Sequence, residues 1–458
     1  VIYPMVKSKF VAVDLFAGPG GLGEGFSQAG FDIICSVEKD KWAARTLRTR
    51  VMFKTLKEIN RTSLYWDYIR GDKTGEEIIN LYSELKYEID SRVLQKTISD
   101  RSRTIILKEI KNRLKSSGSP DLTVLLGGPP CQLYSIIGRS RYSSMMDKFY
   151  RDPRRRLFEH YIFFLRELRP KIFVFENVYG ITSATLKRRR LLEILFEEFD
   201  KCGYIIPEAG NSSQENGYIL NSLHFGIPQK RKRLILIGYR RDFKCSGMNE
   251  IYRDIREKYP PSGNNYPVVR DAIGDLPPVR PGEGNDKWFG YYPNSVKISD
   301  YAAILRVESE GVLNHRARTH MEKDLERYKY FIESNNNGIK ANLYNLKNER
   351  PDLLPAHRNL DVFLDRFKVQ AWDNPASTIT SHLARDGHYY IHPDINQLRS
   401  FTVREAARFQ SFPDNYFFEG PRTEQFRQVG NAVPPLLARG IAILIVKKLE
   451  NTREGNWD

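Results

Sequence analysis

The first forty residues leave this chain little freedom. Residues 10–16 (FVAVDLF) form a short apolar, β-branched run that ends in a glycine-rich turn, 17–23 (AGPGGLG). A short helical stretch over 24–29 follows, with Gly30 placed to cap it. Residues 31–37 (FDIICSV) are a second strand, ending at Glu38. Strand, glycine turn, helix and strand in that order make one βαβ unit, and such a unit opens a parallel sheet.

The pattern repeats further on. Residues 121–126 (DLTVLL) predict a third buried strand, ending at Gly127-Gly128-Pro129-Pro130-Cys131. A helix over 157–168 leads into a strand at 171–175 (KIFVF), which ends at Glu176-Asn177, and 233–238 (RLILIG) predicts one more. This alternation predicts a doubly wound, Rossmann-like α/β domain with ligands at the carboxyl ends of its strands. Between about 76 and 115 the period changes: Leu81, Leu85 and Ile89 recur at i+4, as do Ile106, Ile110 and Leu114. Two amphipathic helices inserted before the third strand are expected there. From 239 to 420 the alternation fades, and clusters such as 261–265 and 277–285 break the chain into loops. Residues 429–446 are apolar and helical again. The expected organisation is one domain from 1–240 plus 422–458, and a smaller, irregular domain over 241–421.

Charge and cysteine usage narrow the class. The chain of 458 residues carries a formal net charge of +16, which favours a polyanionic partner such as nucleic acid. No apolar run approaching the roughly 18 residues of a membrane helix is expected. The amino terminus lacks a secretory pattern, so no membrane partner and a cytoplasmic location are expected. Cys35, Cys131, Cys202 and Cys245 lie more than 40 residues from one another, which excludes a Cys-x-x-Cys knuckle or redox pair. His315 and His320 are joined by no cysteine or acid cluster, so a surface or DNA-facing role is expected for them, and no metal site.

Four motifs carry chemistry. Gly18, Gly20 and Gly23 fit G-x-G-x-x-G after a strand, and Glu38 stands 15 residues beyond Gly23. The glycines admit a ligand close to the backbone, and the acid suits ribose hydroxyls; enzymes using NAD, FAD and S-adenosylmethionine share this layout. Next, two prolines pin the backbone before Cys131 at a strand end, the placing of a nucleophile, although a lone cysteine is commonly a buried small hydrophobe. Third, Glu176 ends an apolar strand, where desolvation raises a carboxyl's pKa; a capping or salt-bridging acid is the alternative. Last, alternation along residues 229–233 (QKRKR) puts Arg231 and Arg233 on one side and Lys230 and Lys232 on the other. One arginine is then free to pair with Glu176 or to hold a carbonyl oxygen of a base.

In linear order, residues 14–23 (DLFAGPGGLG), the Pro-Pro-Cys-Gln turn, Glu176-Asn177-Val178, residues 229–233, residues 402–412 (TVREAARFQSF) with Pro413, and residues 428–433 (QVGNAV) resemble the DNA (cytosine-5) methyltransferase family. These stretches span the first 45 residues, 121–240 and 400–440, about half the chain. The resemblance implies methyl transfer from S-adenosylmethionine to carbon 5 of a flipped-out cytosine in a specific duplex DNA sequence. Cys131 would add to carbon 6 of the base, so that carbon 5 can attack the methyl group. Glu176 would hold N3 and the amino group, Arg233 the carbonyl oxygen, and Arg231 would order the site. Phe16, Gly18, Gly20, Leu22, Glu38, Pro129, Leu157 and Asn431 would line the cofactor site, with Asp72, in Gly71-Asp72, against the adenine. The segment 132–156 would close over DNA, with Arg139, Arg141, Arg151 and Arg154, Arg155 and Arg156 at phosphates, and residues 239–397 would choose the sequence. The expected setting is a monomeric bacterial or phage modification enzyme of a restriction-modification system, with a cognate endonuclease as functional partner. A solitary regulatory methyltransferase and a tRNA cytosine-5 methyltransferase are the alternatives. A silent DNA-binding module is a further rival, as is a nicotinamide-dependent oxidoreductase, which leaves Cys131 and residues 229–233 unexplained.

Overall fold

The structure is a computed structural model that describes residues 10–119, 121–130, 157–186, 189–210, 217–261, 263, 265–290, 297–355 and 364–453. Its centre is an eight-stranded sheet. The strands are β1 (Phe10–Leu15), β2 (Phe31–Glu38), β3 (Val93–Gln95), β4 (Val124–Gly127), β5 (Ile172–Val178), β6 (Tyr204–Ile205), β7 (Ile219–Asn221) and β8 (Lys232–Arg240). They lie in the order β3-β2-β1-β4-β5-β8-β6, with β7 also paired to β8. The first five run parallel. β8 is antiparallel to β5, β6 and β7. β1 is buried at every residue, as a central strand covered on both faces must be.

The chain leaves β1 towards β2 on one side and returns as β4 on the other, so the order reverses between β1 and β4. Leu15 pairs with Gly127 at that point. The loop after β1 and the Gly128-Pro129-Pro130 turn after β4 therefore face each other, at the crevice where open α/β sheets hold ligands. Helix α1 (Gly21–Gln28) starts at the far side of the glycine turn.

Two expectations change in the middle of the chain. Residues 81–89 do not form one helix: α4 (Gly75–Leu81) and α5 (Ser83–Arg92) are separated at Tyr82, whose backbone is extended. β3 follows directly, so the third strand in the chain is Val93–Gln95, and β4 is the fourth. A three-residue strand is too short to leave a period in the sequence, whereas α6 (Arg103–Ser116) does so with Ile106 and Ile110. α2 (Lys41–Glu58), α3 (Thr62–Arg70), α4 and α5 share a small core that also takes in Leu313 and Phe417. The insertion thus buttresses the region after β8.

That region has its own core, running from Val269 to Ala432, while the main core reaches Ile255 and resumes at Val433. Packing therefore groups residues 248–255 with the sheet and α9 (Arg422–Asn431) with the irregular region. α10 (Pro435–Arg453) returns to the sheet. Contrary to expectation, one stretch, Arg422–Thr452, is long and apolar enough by length and composition to cross a membrane. Of its most apolar window 72% is buried inside the protein, which is the character of a core helix.

Buried arginines hold the irregular region together. α8 (Val403–Phe409) opens with a capping box between Thr402 and Glu405. Arg399 donates to both Glu405 oxygens at 2.7 and 2.8 Å. Arg404 donates to the carbonyls of Leu313 (2.7 Å), Pro413 (3.0 Å) and Tyr416 (2.6 Å). Arg408 joins Asp275 to Asp414, the latter at 2.6 Å. Such charges are tolerated inside because each is paired or fully hydrogen-bonded. His315 belongs to the same layer, its nitrogens on Thr402 Oγ1 (2.9 Å) and the Pro277 carbonyl (2.8 Å). This corrects the surface or DNA-facing role expected for it: a neutral ring with both nitrogens satisfied is core material. Arg318 is buried too, donating to the carbonyls of Arg385 (2.5 Å) and Leu383, and His320 lies against Tyr328 and Ser400.

Burial pushes His315 and His320 down to about 4 and His392 to about 3. An unfolded histidine takes a proton near 6.5. These three stay neutral in the folded protein, so stability is lost as pH falls from about 6.5 towards 4. Their expected signature in urea unfolding is a His392→Gln variant whose midpoint falls less than the wild type's between pH 7 and pH 5. Equal falls in the two proteins would contradict it.

Candidate active site

The crevice between β1 and β4 is built from backbone. Phe16, Gly18 and Gly20 all have positive φ, at 57°, 56° and 90°. Glycine takes that conformation at no cost, whereas a bulky aromatic does so only where its surroundings hold it. The holding contacts are visible. Gly18 N–H donates to Glu38 Oε2 at 2.8 Å, and Tyr416 Oη donates to the Pro19 carbonyl. A Cβ on Gly20 would meet Leu47 Cδ2 at 2.6 Å, whereas one on Gly18 would meet nothing within 4 Å. The loop is thus packed from behind and open at Gly18. Leu22 is buried behind the loop, in α1.

Glu38 gathers three N–H groups, those of Gly18, Lys39 and Asp40, each at 2.8 Å. Burial nonetheless raises its pKa. Asp14, beneath the loop, is pushed up to about 7 by burial, with the Gly23 N–H opposing. Its Oδ2 accepts that N–H at 3.2 Å, and its buried Oδ1 has no partner among the described residues. Asn431 is exposed. Two residues on, the Val433 carbonyl packs so closely on Gly21 that a Cβ there would clash.

The second wall carries the reactive groups. Pro129 is buried, and its carbonyl accepts from Asn177 Nδ2 at 3.1 Å. That bond ties the proline turn to the end of β5. A Cβ on Gly128 would lie 2.8 Å from Glu176 Oε2, so only glycine lets the turn pass over this carboxylate. Glu176 pairs with Arg233 Nε at 3.0 Å. Burial raises the Glu176 pKa, and Arg233 and then Arg231 oppose the rise. Leu157, half-buried, begins α7 (Leu157–Leu168). Further along α7, Tyr161 Oη lies 3.0 Å from the Leu125 carbonyl and 3.3 Å from that of Val174, bracing β4 against β5.

Cys131 and the segment 132–156, with its six arginines, lie outside the described residues. The described chain reaches Pro130, two residues beyond the Gly128 that passes over Glu176. Arg231 is fully buried away from the crevice surface, and its guanidinium donates to the carbonyls of Ile379 (2.7 Å), Ala432 (2.7 Å) and Gly430 (3.3 Å). Lys230 and Lys232 are exposed on the other side. The structure does not bring Asp72 to the crevice. It sits in the exposed turn after α3, its N–H on the Asp67 carbonyl at 2.9 Å. The strand end beside Glu38 belongs to β3, where Lys96 N–H donates to the Glu38 carbonyl at 3.0 Å. Tyr416 and Tyr161 escaped the sequence reading, because a tyrosine acting on a carbonyl far along the chain leaves no local pattern.

Sheet order, glycine loop and acid at the second strand end define a Rossmann-like methyltransferase domain with a smaller irregular region attached. The family model for C-5 cytosine-specific DNA methylases matches residues 10–67 and 66–447, and the chain belongs to that family. It is accordingly a DNA (cytosine-5) methyltransferase that uses S-adenosylmethionine. It is 40% identical to the type II methyltransferase M.Bpa9945I of Bacillus paralicheniformis over 96% of this chain and 99% of that one. It is 29% identical to the type II methyltransferase M.DdeI of Desulfomicrobium norvegicum over 96% and 89%. Among solved structures, an E. coli prophage-encoded chain assigned as a DNA modification methyltransferase shares the fold, with a TM-score of 0.60, 21% identity and coverage of 96% and 100%.

Proposed function

We propose that this chain is the modification enzyme of a type II system, methylating one cytosine within one short sequence of duplex DNA, with Cys131 as nucleophile. The observation that carries this reading is the Glu176–Arg233 pair at the end of β5, set against the turn that leads into Cys131. The type II relatives support the setting. A cytosine inside a duplex presents neither face to such a turn, so the base must be extruded. The Cys131 thiolate then adds to carbon 6 and makes carbon 5 electron-rich. Glu176, with its pKa raised by burial, holds or shares a proton at N3 as charge develops there, and it orients the amino group. Arg233 neutralises the carboxylate partner and offers its remaining N–H groups to the carbonyl oxygen. Loss of the carbon 5 proton and expulsion of the thiolate free the product.

S-adenosylmethionine, when bound, supplies an electrophilic methyl group. The residues fit it: Glu38 suits the ribose hydroxyls, and the open backbone at Gly18 admits the ligand beside Phe16. Asn431 and Pro129 border the same crevice, and Arg231 acts as a positioning residue. We assign the choice of target sequence to residues 241–421 and the site of action to the cytoplasm, with a cognate endonuclease as functional partner and the monomer as the acting form. Sequencing of 5-methylcytosine in DNA from a host expressing the chain tests this. Methylation confined to one short motif is expected. Absence of 5-methylcytosine from all DNA, with label appearing in tRNA instead, would overturn it.

A further inference from the structure

The glycine loop has two halves. Phe16, Ala17 and Gly18 are half-buried and border the crevice, whereas Pro19 and Gly20 are buried. Neighbouring groups of the sheet domain hold the first half. Ala17 N–H donates to the Val37 carbonyl at 3.1 Å, Gly18 N–H to Glu38 at 2.8 Å, and Gly20 N–H back to the Ala17 carbonyl at 2.9 Å. The second half is held from the irregular region. Tyr416 donates its hydroxyl proton to the Pro19 carbonyl, and a Cβ on Gly20 would stand 3.0 Å from that hydroxyl. Gly18 and Gly20, both at positive φ, flank Pro19, so the Pro19–Gly20 peptide can rotate unless its carbonyl is fixed. The phenol ring is itself locked. Phe412 and Phe418 pack on it, with ring centres 4.9 and 5.5 Å away. Arg50, on α2, lies 4.9 Å from its centre, donates to Glu24 of α1 at 2.6 and 3.0 Å, and reaches the Asn415 side chain at 3.0 Å. One guanidinium thus ties α1, the helix that starts at the loop, to the residue next to Tyr416.

We infer that Tyr416 is a positioning residue for S-adenosylmethionine: its hydroxyl fixes the Pro19–Gly20 peptide so that the loop stays open at Gly18, and the irregular region thereby completes the cofactor site. The phenol is buried behind the loop, and its part is to select one loop conformation before the ligand arrives. A ligand that meets a loop sampling several conformations binds more weakly, by the fraction that is competent. Once bound, the ligand itself holds the loop, so the rate at saturating cofactor is preserved. Loss of the hydroxyl therefore appears in cofactor affinity and not in the chemical step.

This inference rests on the placing of S-adenosylmethionine in the crevice beside Phe16 and Gly18. Calorimetric titration of the full chain with S-adenosylmethionine, together with methyl-transfer kinetics on duplex DNA, tests it. Tyr416→Phe keeps the ring and should weaken cofactor binding on the order of ten-fold, the size of one buried hydrogen bond. Its KM for S-adenosylmethionine should rise in parallel, with kcat at saturating cofactor within about two-fold of wild type. Tyr301→Phe is the control for a merely structural loss. Tyr301 is a buried tyrosine of the same core, and it too donates to a carbonyl, that of Arg408 at 2.5 Å, but it has no part in the loop. It should lose comparable stability in urea and bind S-adenosylmethionine as wild type does. Wild-type affinity in Tyr416→Phe, equal weakening in Tyr301→Phe, or a fall in kcat at saturating cofactor would overturn the positioning role. So would a Tyr416→Phe chain that does not fold, because the hydroxyl would then serve the fold as a whole. Phe16→Ala separates this inference from the reading beneath it. If Phe16→Ala weakens the cofactor while Tyr416→Phe does not, only the role of Tyr416 is lost. If Phe16→Ala binds S-adenosylmethionine normally, the cofactor lies elsewhere and the placing in the crevice fails.

Discussion

Cys131→Ala is expected to abolish methyl transfer, lowering the rate by about four orders of magnitude or more, as removal of a covalent nucleophile does. The physical ground is the substrate. Carbon 5 of cytosine is a poor nucleophile until a thiolate adds at carbon 6, and no other cysteine of this chain is equipped to replace Cys131. Cys35 lies inside β2, where burial pushes its thiol up to about 11, and Arg113 stands 3.4 Å from its sulfur. Burial also raises Cys202 and Cys245. Cys245 is held at the end of α10 by Thr452, at 3.2 Å. A thiol that resists ionisation and sits away from the crevice cannot attack a base. The measurement is incorporation of labelled methyl groups into duplex DNA by purified wild type and variant. The variant should still bind DNA and cofactor, because the substitution removes a single sulfur atom. Activity within a hundred-fold of wild type would remove Cys131 from its role.

Arg231→Met should cost about 2–4 kcal/mol of folding stability, far more than an exposed arginine would. Arg231 joins three pieces of chain: the start of β8, the segment at Ile379, and the end of α9 at Gly430 and Ala432. Methionine fills similar volume but leaves those carbonyls without donors in a dry interior, each at a cost of about 1–3 kcal/mol. Part of this is offset because the buried charge itself disappears. Lysine is no substitute, since its compact ammonium cannot span carbonyls that a planar fork reaches. Val433, next in line after Ala432, packs its carbonyl on Gly21 at the end of the glycine loop, so the variant should also bind S-adenosylmethionine more weakly. Urea unfolding and cofactor titration together read the effect. A stability change under about 0.5 kcal/mol, a surface-like value, would show that the clamp does not bear on the fold.

Both predictions concern residues that the sequence picked out, but for different reasons. Cys131 is legible because prolines before a cysteine at a strand end are a local signature. Glu38 and Glu176 are legible likewise, as acids that close apolar runs. Arg231 stands in a basic run, and only the alternation of the run distinguishes it from Lys230 and Lys232. Alternation gives the side of the strand and not what lies there, so the sequence could not tell a base-binding arginine from a buried clamp. The structure separates the two: Arg233 reaches Glu176, and Arg231 points into the junction with the irregular region. Asp72 marks the limit of matching by resemblance. Gly71-Asp72 was matched to the family's adenine contact, but the strand that pairs with β2 is Val93–Gln95, too short to announce itself. His315 marks the limit of composition. A histidine beside Arg316 and Arg318 looked solvent- or DNA-facing, yet of the three only Arg316 is exposed, while His315 and Arg318 are buried and hydrogen-bonded.

By itself, then, the sequence determined the βαβ opening, the strand ends and the reactive residues standing on them, because short-range periodicity and turn chemistry are local properties. Tertiary structure alone decided which strand ends are neighbours: the reversal between β1 and β4, the late edge strand β3 and the antiparallel β8. It also decided that Tyr416 would support a loop nearly four hundred residues earlier in the chain. Such contacts depend on the closure of long loops and the satisfaction of buried polar groups across them, and neither leaves a mark on the residues next in line.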